Sequence, residues 1–185
     1  IRERGTSAPY ACIIEMGRDY LGEDKTHVFS RRPFLAEFMS GRFSFTLISS
    51  HVIYDAPGDE SLQRPMMASS LGLDAIEDIG AGGGLTSNNW ARFAEVQVTL
   101  EFINKFASER PREDIIFMGD LNLESSNAYW STVLETWPGS VLYIDEATST
   151  SSKKVTNGSE TNGLASNYDH FIFNPQRTKE CVNDV

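Results

Sequence analysis

The sequence has few cysteines and no long apolar run. Its 185 residues include only two cysteines, Cys12 and Cys181, and their spacing matches no zinc-binding pattern. The two thiols can form one disulfide or none, and we expect a structural role for both. No stretch approaches the roughly 18 apolar residues that a membrane-spanning helix needs. These absences argue against a zinc-binding module and against a membrane protein.

Basic residues are also scarce relative to acidic ones. The chain has 16 Lys and Arg against 26 Asp and Glu, which gives a formal net charge of −10. This charge repels polyanions at long range, so we do not expect nucleic acid to be held by non-specific charge alone. A phosphate substrate stays open, because carboxylates that bind a divalent cation present positive charge locally.

The length favours one domain. A chain of 185 residues can bury a sizeable core but is too short for two ordinary domains, so we predict a single domain over residues 1–185. The first residue is Ile1 and not Met, so any targeting signal has been removed or lies outside this numbering. Localisation stays open, with a secreted or periplasmic protein slightly favoured over a cytoplasmic one.

The pattern of apolar residues predicts an α/β (α+β) fold. Alternating or continuous apolar runs indicate strands, and apolar positions at three- and four-residue steps indicate an amphipathic helix. The predicted strands are residues 33–39, 42–51, 114–119 and 168–173, and the predicted helices are 89–108 and 126–136. Residues 54–89 lack any sustained period and are interpreted as an excursion with a short helix near 71–79.

Polar side chains follow the predicted strand at 114–119. Asp120 and Asn122 are two residues apart, so both point to one face if extended geometry continues through Leu121. A carboxylate and an amide there could hold a hydrated metal ion or a phosphate oxygen. An Asx turn that only ends the strand explains the same tetrapeptide equally well.

His51 and Asp169 are further candidates at strand positions. His51 ends its predicted strand, although a lone histidine more often hydrogen-bonds nearby backbone than catalyses a reaction. Asp169 follows Tyr168 inside an otherwise apolar predicted strand, where a buried carboxylate needs a partner or an ion. Hydrogen bonds from loop amides would satisfy Asp169 as well.

Four motifs, taken in order, carry a family resemblance. They are Phe-Ser-Arg-Arg-Pro-Phe at 29–34, Ser-His-Val at 50–52, Phe-Met-Gly-Asp-Leu-Asn at 117–122 and Tyr-Asp-His-Phe-Ile at 168–172. At these spacings the chain resembles the endonuclease/exonuclease/phosphatase superfamily, and within it the deoxyribonuclease I-like branch. The resemblance implies a four-layer α/β sandwich, in which two β-sheets pack face to face with helices outside.

The resemblance also implies hydrolysis of a phosphoester by in-line attack of water. The cofactor would be Mg²⁺, with Mn²⁺ or Ca²⁺ as alternatives. His51 would protonate the leaving oxygen, or take the proton of the water in the reverse assignment. Asp120 and Asp169 would hold the metal and orient the water. Asn122 and Arg31 would bind the phosphate of the substrate, for which a planar guanidinium is well suited.

Parts of the family pattern are missing from the sequence. The strands with an Asn and a metal-binding Glu and the closing Ser-Asp-His motif are absent, so we expect the chain to be a large segment of a DNase I-like domain. Cys12 stands where nuclease relatives carry a Glu that orients the catalytic histidine. Arg32 replaces a commonly acidic residue beside Arg31.

Three functions fit these features. The first is a metal-dependent endonuclease that cuts DNA, or alternatively RNA. The second is a phosphatase or phospholipase of the same fold that acts on a phosphoinositide, sphingomyelin or a nucleotide. The third is a catalytically weakened binding module, which the missing motifs and Cys12 would explain. The expected partner is a nucleic acid substrate, and the oligomeric state is not given by the sequence.

Overall fold

The computed structural model describes residues 11–13, 29–40, 43–55, 86–143, 146–150 and 164–179. Within these ranges the chain forms eight strands and two helices. In chain order they are β1 (Ala11–Ile13), β2 (Phe34–Ser40), β3 (Phe43–His51), α1 (Ser87–Glu109), β4 (Asp114–Asp120), α2 (Trp130–Leu134), β5 (Val141–Tyr143), β6 (Ser149–Thr150), β7 (Leu164–Ser166) and β8 (Asp169–Phe173).

Six of the strands form one mixed sheet. Their order is β1-β2-β3-β4-β8-β5, while β6 and β7 pair separately. Strands β3 and β4 are parallel, and their other sheet neighbours are antiparallel to them. A parallel pair requires a crossover connection, and α1 lies in the connection between β3 and β4. This topology puts the carboxyl ends of β3 and β4 at the same edge, next to the first residue of β8.

Helix α1 begins at a polar cap and is buried around most of its circumference. The Thr86 hydroxyl accepts the backbone N–H of Asn89 at 3.3 Å, and the helix ends two residues before Pro111. Its fully buried apolar side chains include Phe93, Val96, Leu100 and Ile103. Three polar side chains of α1 are buried with them, namely Arg92, Glu95 and Thr99. The helix is therefore a core element and not a surface helix with one apolar stripe.

The core lies between α1 and one face of the sheet. Strand register aligns Ile48, Phe117 and Ile172 across β3, β4 and β8, and all three side chains are fully buried. Register partners share a face, and neighbouring residues of a strand point to opposite faces. A side chain three residues before or after one of these core residues on the same strand must therefore point away from α1.

The α/β fold class is confirmed. The predicted hairpin, central strand, long helix and last strand are all present, with ends shifted by at most two residues. The helix expected over 126–136 is reduced to the five residues of α2, and β1, β5, β6 and β7 were not anticipated. The described residues hold one large sheet, and a second large sheet does not fall within them.

Some expectations lie outside the described residues. They include most of the excursion at 54–89 and the short helix near 71–79. The single domain over 1–185 stays a prediction. In the described ranges, neither helix combines the length and the hydropathy that a membrane span requires.

Gly119 lies where β3 and β4 approach most closely. Its φ is +150°, and a Cβ added there would lie 1.8 Å from the carbonyl oxygen of Ser50, its register partner. That oxygen belongs to the backbone of a paired strand and cannot move aside without breaking the ladder. Only glycine fits at this position, one residue before Asp120.

We expect Gly119→Ala to lower the free energy of unfolding by at least about 3 kcal/mol, because the clash is with backbone. Gly139→Ala is the matched control. Gly139 has a φ of +80°, and its added Cβ would meet the movable Asn174 amide at 2.8 Å, so a loss of about 1–2 kcal/mol is expected. Urea unfolding of both variants measures the difference, and equal losses would contradict the close approach of the strands.

Candidate active site

Three of the predicted site residues are direct cross-strand partners. His51 ends β3, Asp120 ends β4 and Asp169 begins β8. The register pairs His51 with Asp120 and Asp120 with Asp169. Each of the three lies three residues from a core side chain of its own strand, so all point to the face opposite α1. The structure therefore brings these side chains into one row, called the site row below.

His51, at one end of the site row, and Asp120, at its centre, are both open to solvent. His51 Nε2 lies 4.0 Å from Asp120 Oδ2, with 55% of the histidine side chain and 36% of the aspartate side chain exposed. An ion pair at this exposure contributes little to stability. A histidine beside a carboxylate at an open edge can instead exchange protons with a bound molecule.

Asp120 and Asp169 place two carboxylates opposite each other. Asp120 Oδ1 accepts the backbone N–H of Asn122 at 3.0 Å. Among the described residues no donor contacts the Asp169 carboxylate, while its backbone N–H donates to Thr148 Oγ1 at 3.0 Å. Opposed like charges destabilise a strand pair, and a divalent cation between them would remove the repulsion.

The two carboxylates fit part of a magnesium site. Mg²⁺ is commonly bound by one or two carboxylates, with waters and phosphate oxygens completing its shell. No group of three or more His, Cys, Asp or Glu side chains suited to a metal occurs in the part of the chain that the structure describes. A metal bound by Asp120 and Asp169 would therefore need further ligands of another kind, such as water molecules or phosphate oxygens of a substrate.

The chain turns immediately after Asp120. Asn122 has a φ of +53°, and its backbone N–H binds Asp120 Oδ1, which forms an Asx turn. Its side-chain Nδ2 donates to the Val52 carbonyl at 2.8 Å, and the residue is 3% exposed. Extended geometry does not continue through Leu121, so Asp120 and Asn122 do not share a strand face. Asp120 therefore takes part in the Asx turn through Oδ1 and also lies in the site row.

Arg31 lies in the loop before β2, with an exposed side chain. No hydrogen bond or ion pair within the described ranges joins it to the site row. The neighbouring residue, Ser30, is held by α1, because its backbone N–H donates to Glu95 Oε1 at 3.0 Å. Burial raises the pKa of Glu95 to about 7, while the N–H groups of Ser30 and Ile53 and the charge of Arg31 oppose that rise.

Arg92, one turn before Glu95 on α1, is a buried cation bound mainly by backbone carbonyls. Its Nε donates to the Tyr54 carbonyl at 3.0 Å, and its Nη1 donates to the Asn122 carbonyl at 2.7 Å and to Asn89 Oδ1 at 3.2 Å. Its guanidinium also lies 5.1 Å from the centre of the Tyr54 ring. Arg92 thus connects the segment after β3 to the turn after β4.

Sequence reasoning missed three buried polar residues near the site, which are Arg92, Glu95 and His170. Opposite charges three residues apart on a helix usually indicate an exposed ion pair, whereas here both are buried and neither contacts the other. The signal was their position within a helix that is apolar on most sides. His170 sits in a predicted strand, where its Nε2 lies 2.6 Å from the Leu123 carbonyl oxygen.

Solved structures match the chain, but no protein-family model and no curated protein does. One match is a β-hairpin deletion mutant of beta toxin from Staphylococcus aureus, at 13% identity and a TM-score of 0.39. A second is sphingomyelinase C from Streptomyces griseocarneus, at 11% identity and a TM-score of 0.40. A third is D. rerio TDP2 complexed with a single-strand DNA product, at 15% identity and a TM-score of 0.40.

Each alignment covers 77% of this chain but less than half of the matched chain, with 43%, 41% and 46% covered in the same order. The chain therefore spans less than half the length of these structures. At TM-scores of 0.40 or less, these likenesses assign neither a family nor a substrate to this chain.

Glu95 gives stability a specific dependence on pH. Its folded-state pKa of about 7 lies above the ordinary value of 4.5, so the folded protein binds more protons between these values. Its contribution to the free energy of unfolding therefore falls as pH rises from about 4.5 to 7, by up to about 3 kcal/mol. We expect Glu95→Gln to remove this fall.

Urea unfolding at pH 5 and pH 8 measures the effect. The stability of Glu95→Gln relative to the unmodified protein should be higher at pH 8 than at pH 5. Glu109→Gln, which changes an exposed glutamate of the same helix, is the control and should show no such gain. A pH-independent difference for Glu95→Gln would contradict the buried carboxylate.

Proposed function

We propose that this protein is a divalent-metal-dependent phosphodiesterase that acts on nucleic acid. The observation that supports the proposal most is the site row. His51, Asp120 and Asp169 come from three segments of the chain, yet they are register partners on one face of the sheet. They supply a proton carrier and two metal-binding carboxylates at an edge that a substrate can reach.

In this proposal Asp120 and Asp169 hold Mg²⁺, with Mn²⁺ or Ca²⁺ as alternatives. The ion supplies positive charge that stabilises negative charge on the phosphate oxygens. The same carboxylates accept hydrogen bonds from the attacking water and orient it for in-line attack. The two roles are compatible because a carboxylate has two oxygens and several lone-pair directions.

His51 moves the proton. It protonates the leaving oxygen, or accepts the proton of the water if the assignment is reversed. Asp120 Oδ2 lies 4.0 Å from His51 Nε2, on the same face of the sheet. The exposed position of His51 leaves room for a substrate oxygen beside the ring.

Arg31 and Asn122 are assigned to the substrate phosphate. The exposed guanidinium of Arg31 can bind two phosphate oxygens in a fork. Asn122 Nδ2 donates one hydrogen to Val52 and has a second to offer to a phosphate oxygen. Because the chain has a net charge of −10, the metal and the arginine must supply the local attraction for a polyanion.

The test is hydrolysis of plasmid DNA and single-stranded RNA with Mg²⁺ or Mn²⁺. We expect His51→Ala and Asp120→Asn each to lower the rate by roughly 100-fold or more, because each removes a group that acts in the transition state. Asp114→Asn is the matched control. Asp114 lies on the same strand and the same face, about 20 Å from Asp120, and its replacement should leave the rate unchanged.

Three outcomes would contradict parts of the proposal. Hydrolysis that persists in EDTA would exclude the metal mechanism. Release of phosphate from an inositol phosphate, or cleavage of sphingomyelin, with DNA and RNA left intact would replace the nuclease by a phosphatase or phospholipase. Binding of DNA with no hydrolysis of any of these substrates would favour a binding module.

A further inference from the structure

Helix α1 carries two buried ionisable side chains that contact loops near the site row. Arg92 is 8% exposed and Glu95 is 1% exposed. Burying a charge costs several kcal/mol unless hydrogen bonds replace the lost water. Neither residue uses the other as a partner, and both bind the backbone of loops at the active-site edge. Apolar residues would pack a helix here at lower cost, so these contacts call for an explanation.

Glu95 fixes the loop that carries Arg31. Its Oε1 accepts the N–H of Ser30 at 3.0 Å, one residue before Arg31, and its Oε2 is buried with no hydrogen-bond partner among the described residues. The carboxylate is therefore anchored to the loop through Oε1, and the Ile53 N–H after β3 also acts on it. Loss of that anchor would free the backbone from which the Arg31 side chain projects.

Arg92 fixes the turn that carries Asp120 and Asn122. Its guanidinium donates to the carbonyls of Tyr54 and Asn122, on the segments that follow β3 and β4. Those two segments are already joined near the site, because the Val52 N–H donates to the Asp120 carbonyl at 3.0 Å. Arg92 joins the same two segments a second time, from the core side.

We propose that Arg92 and Glu95 are positioning residues for the reaction, Glu95 acting through Arg31 and Arg92 acting through the Asp120–Asn122 turn. The inference rests on the proposed function. The two residues act on different parts of the site, so they affect different steps. Glu95 supports Arg31, which binds the substrate phosphate. Arg92 supports the turn that carries both Asn122, assigned to the phosphate, and Asp120, assigned to the metal and the water.

The test is a double-mutant cycle with a short fluorescent oligonucleotide and Mg²⁺. Glu95→Ala should raise KM about tenfold with kcat little changed, as expected for loss of a residue that orients a binding group. In the Arg31→Ala background the same change should have almost no further effect, since the residue through which it acts is gone. Glu95→Gln should keep KM near its original value, because its carbonyl still accepts the Ser30 N–H.

Arg92→Lys tests the other half of the inference. Lysine keeps the charge, but one ammonium group cannot reach the carbonyls of Tyr54 and Asn122 in the same way as a planar guanidinium. We expect kcat to fall about tenfold through Asp120, and KM to rise as well through Asn122, whereas Glu95→Ala should change KM alone. Lys105→Ala, at an exposed position further along α1, is the control and should change neither constant.

Two further measurements test the inference without relying on hydrolysis of a substrate. Hydrogen exchange of the Ser30 amide should accelerate in Glu95→Ala but not in Glu95→Gln, and the Kd for the oligonucleotide should show the same non-additivity with Arg31→Ala. If these effects appear while no substrate is hydrolysed, the positioning stands and the hydrolase fails. Additive effects of Glu95→Ala and Arg31→Ala would overturn the positioning. If Glu95→Ala does not fold, Glu95→Asp, whose shorter side chain withdraws from Ser30, replaces it.

Discussion

The register of β4 between β3 and β8 is the constraint on which the rest of the site depends. The side chains of a strand alternate between faces, so a slip of one residue would turn Asp120 toward α1 and place a neighbour in the site row. Two features oppose such a slip. Phe117 fits between Ile48 and Ile172 in the fully buried central row. Gly119 lets the backbone of β3 come so close that a Cβ at this position would lie 1.8 Å from the Ser50 carbonyl oxygen.

The tetrapeptide at 119–122 uses each residue for a different physical task. Gly119 allows the close approach, and Asp120 projects into the site row on the opposite face. Leu121 is fully buried and anchors the chain in the core just beyond the strand. Asn122 adopts a positive φ, which asparagine tolerates better than most residues, and turns the chain. An Asx turn and a metal site were alternatives when only the sequence was considered. The fold shows the Asx turn and also leaves the Asp120 carboxylate in the site row, so the turn does not rule out the proposed metal site.

Local patterns were sufficient to predict strands β2, β3, β4 and β8 and the long helix, because apolar periodicity reports directly on which faces are buried. They also drew attention to His51, Asp120 and Asp169 as polar residues in or at the ends of apolar strands, but only the family resemblance gave these residues roles. They could not predict that these residues are register partners, which depends on pairing between segments about 50 or more residues apart. They could have indicated that Glu95 is buried, because α1 is apolar on most sides, but not that its carboxylate binds the Ser30 N–H of a loop 65 residues away.

The distribution of charge makes the proposed phosphate site compatible with an acidic chain. The net charge of −10 is a property of the whole molecule, whereas a substrate at the site row meets a few groups at short range. Two carboxylates there would be neutralised by one divalent cation, and Arg31 and the buried Arg92 add positive charge nearby. Glu95 opposes this field only when it is ionised, and burial raises its pKa to about 7. Near neutral pH, Glu95 is therefore partly protonated and adds less negative charge near the phosphate. Its carboxyl group can still accept the Ser30 N–H.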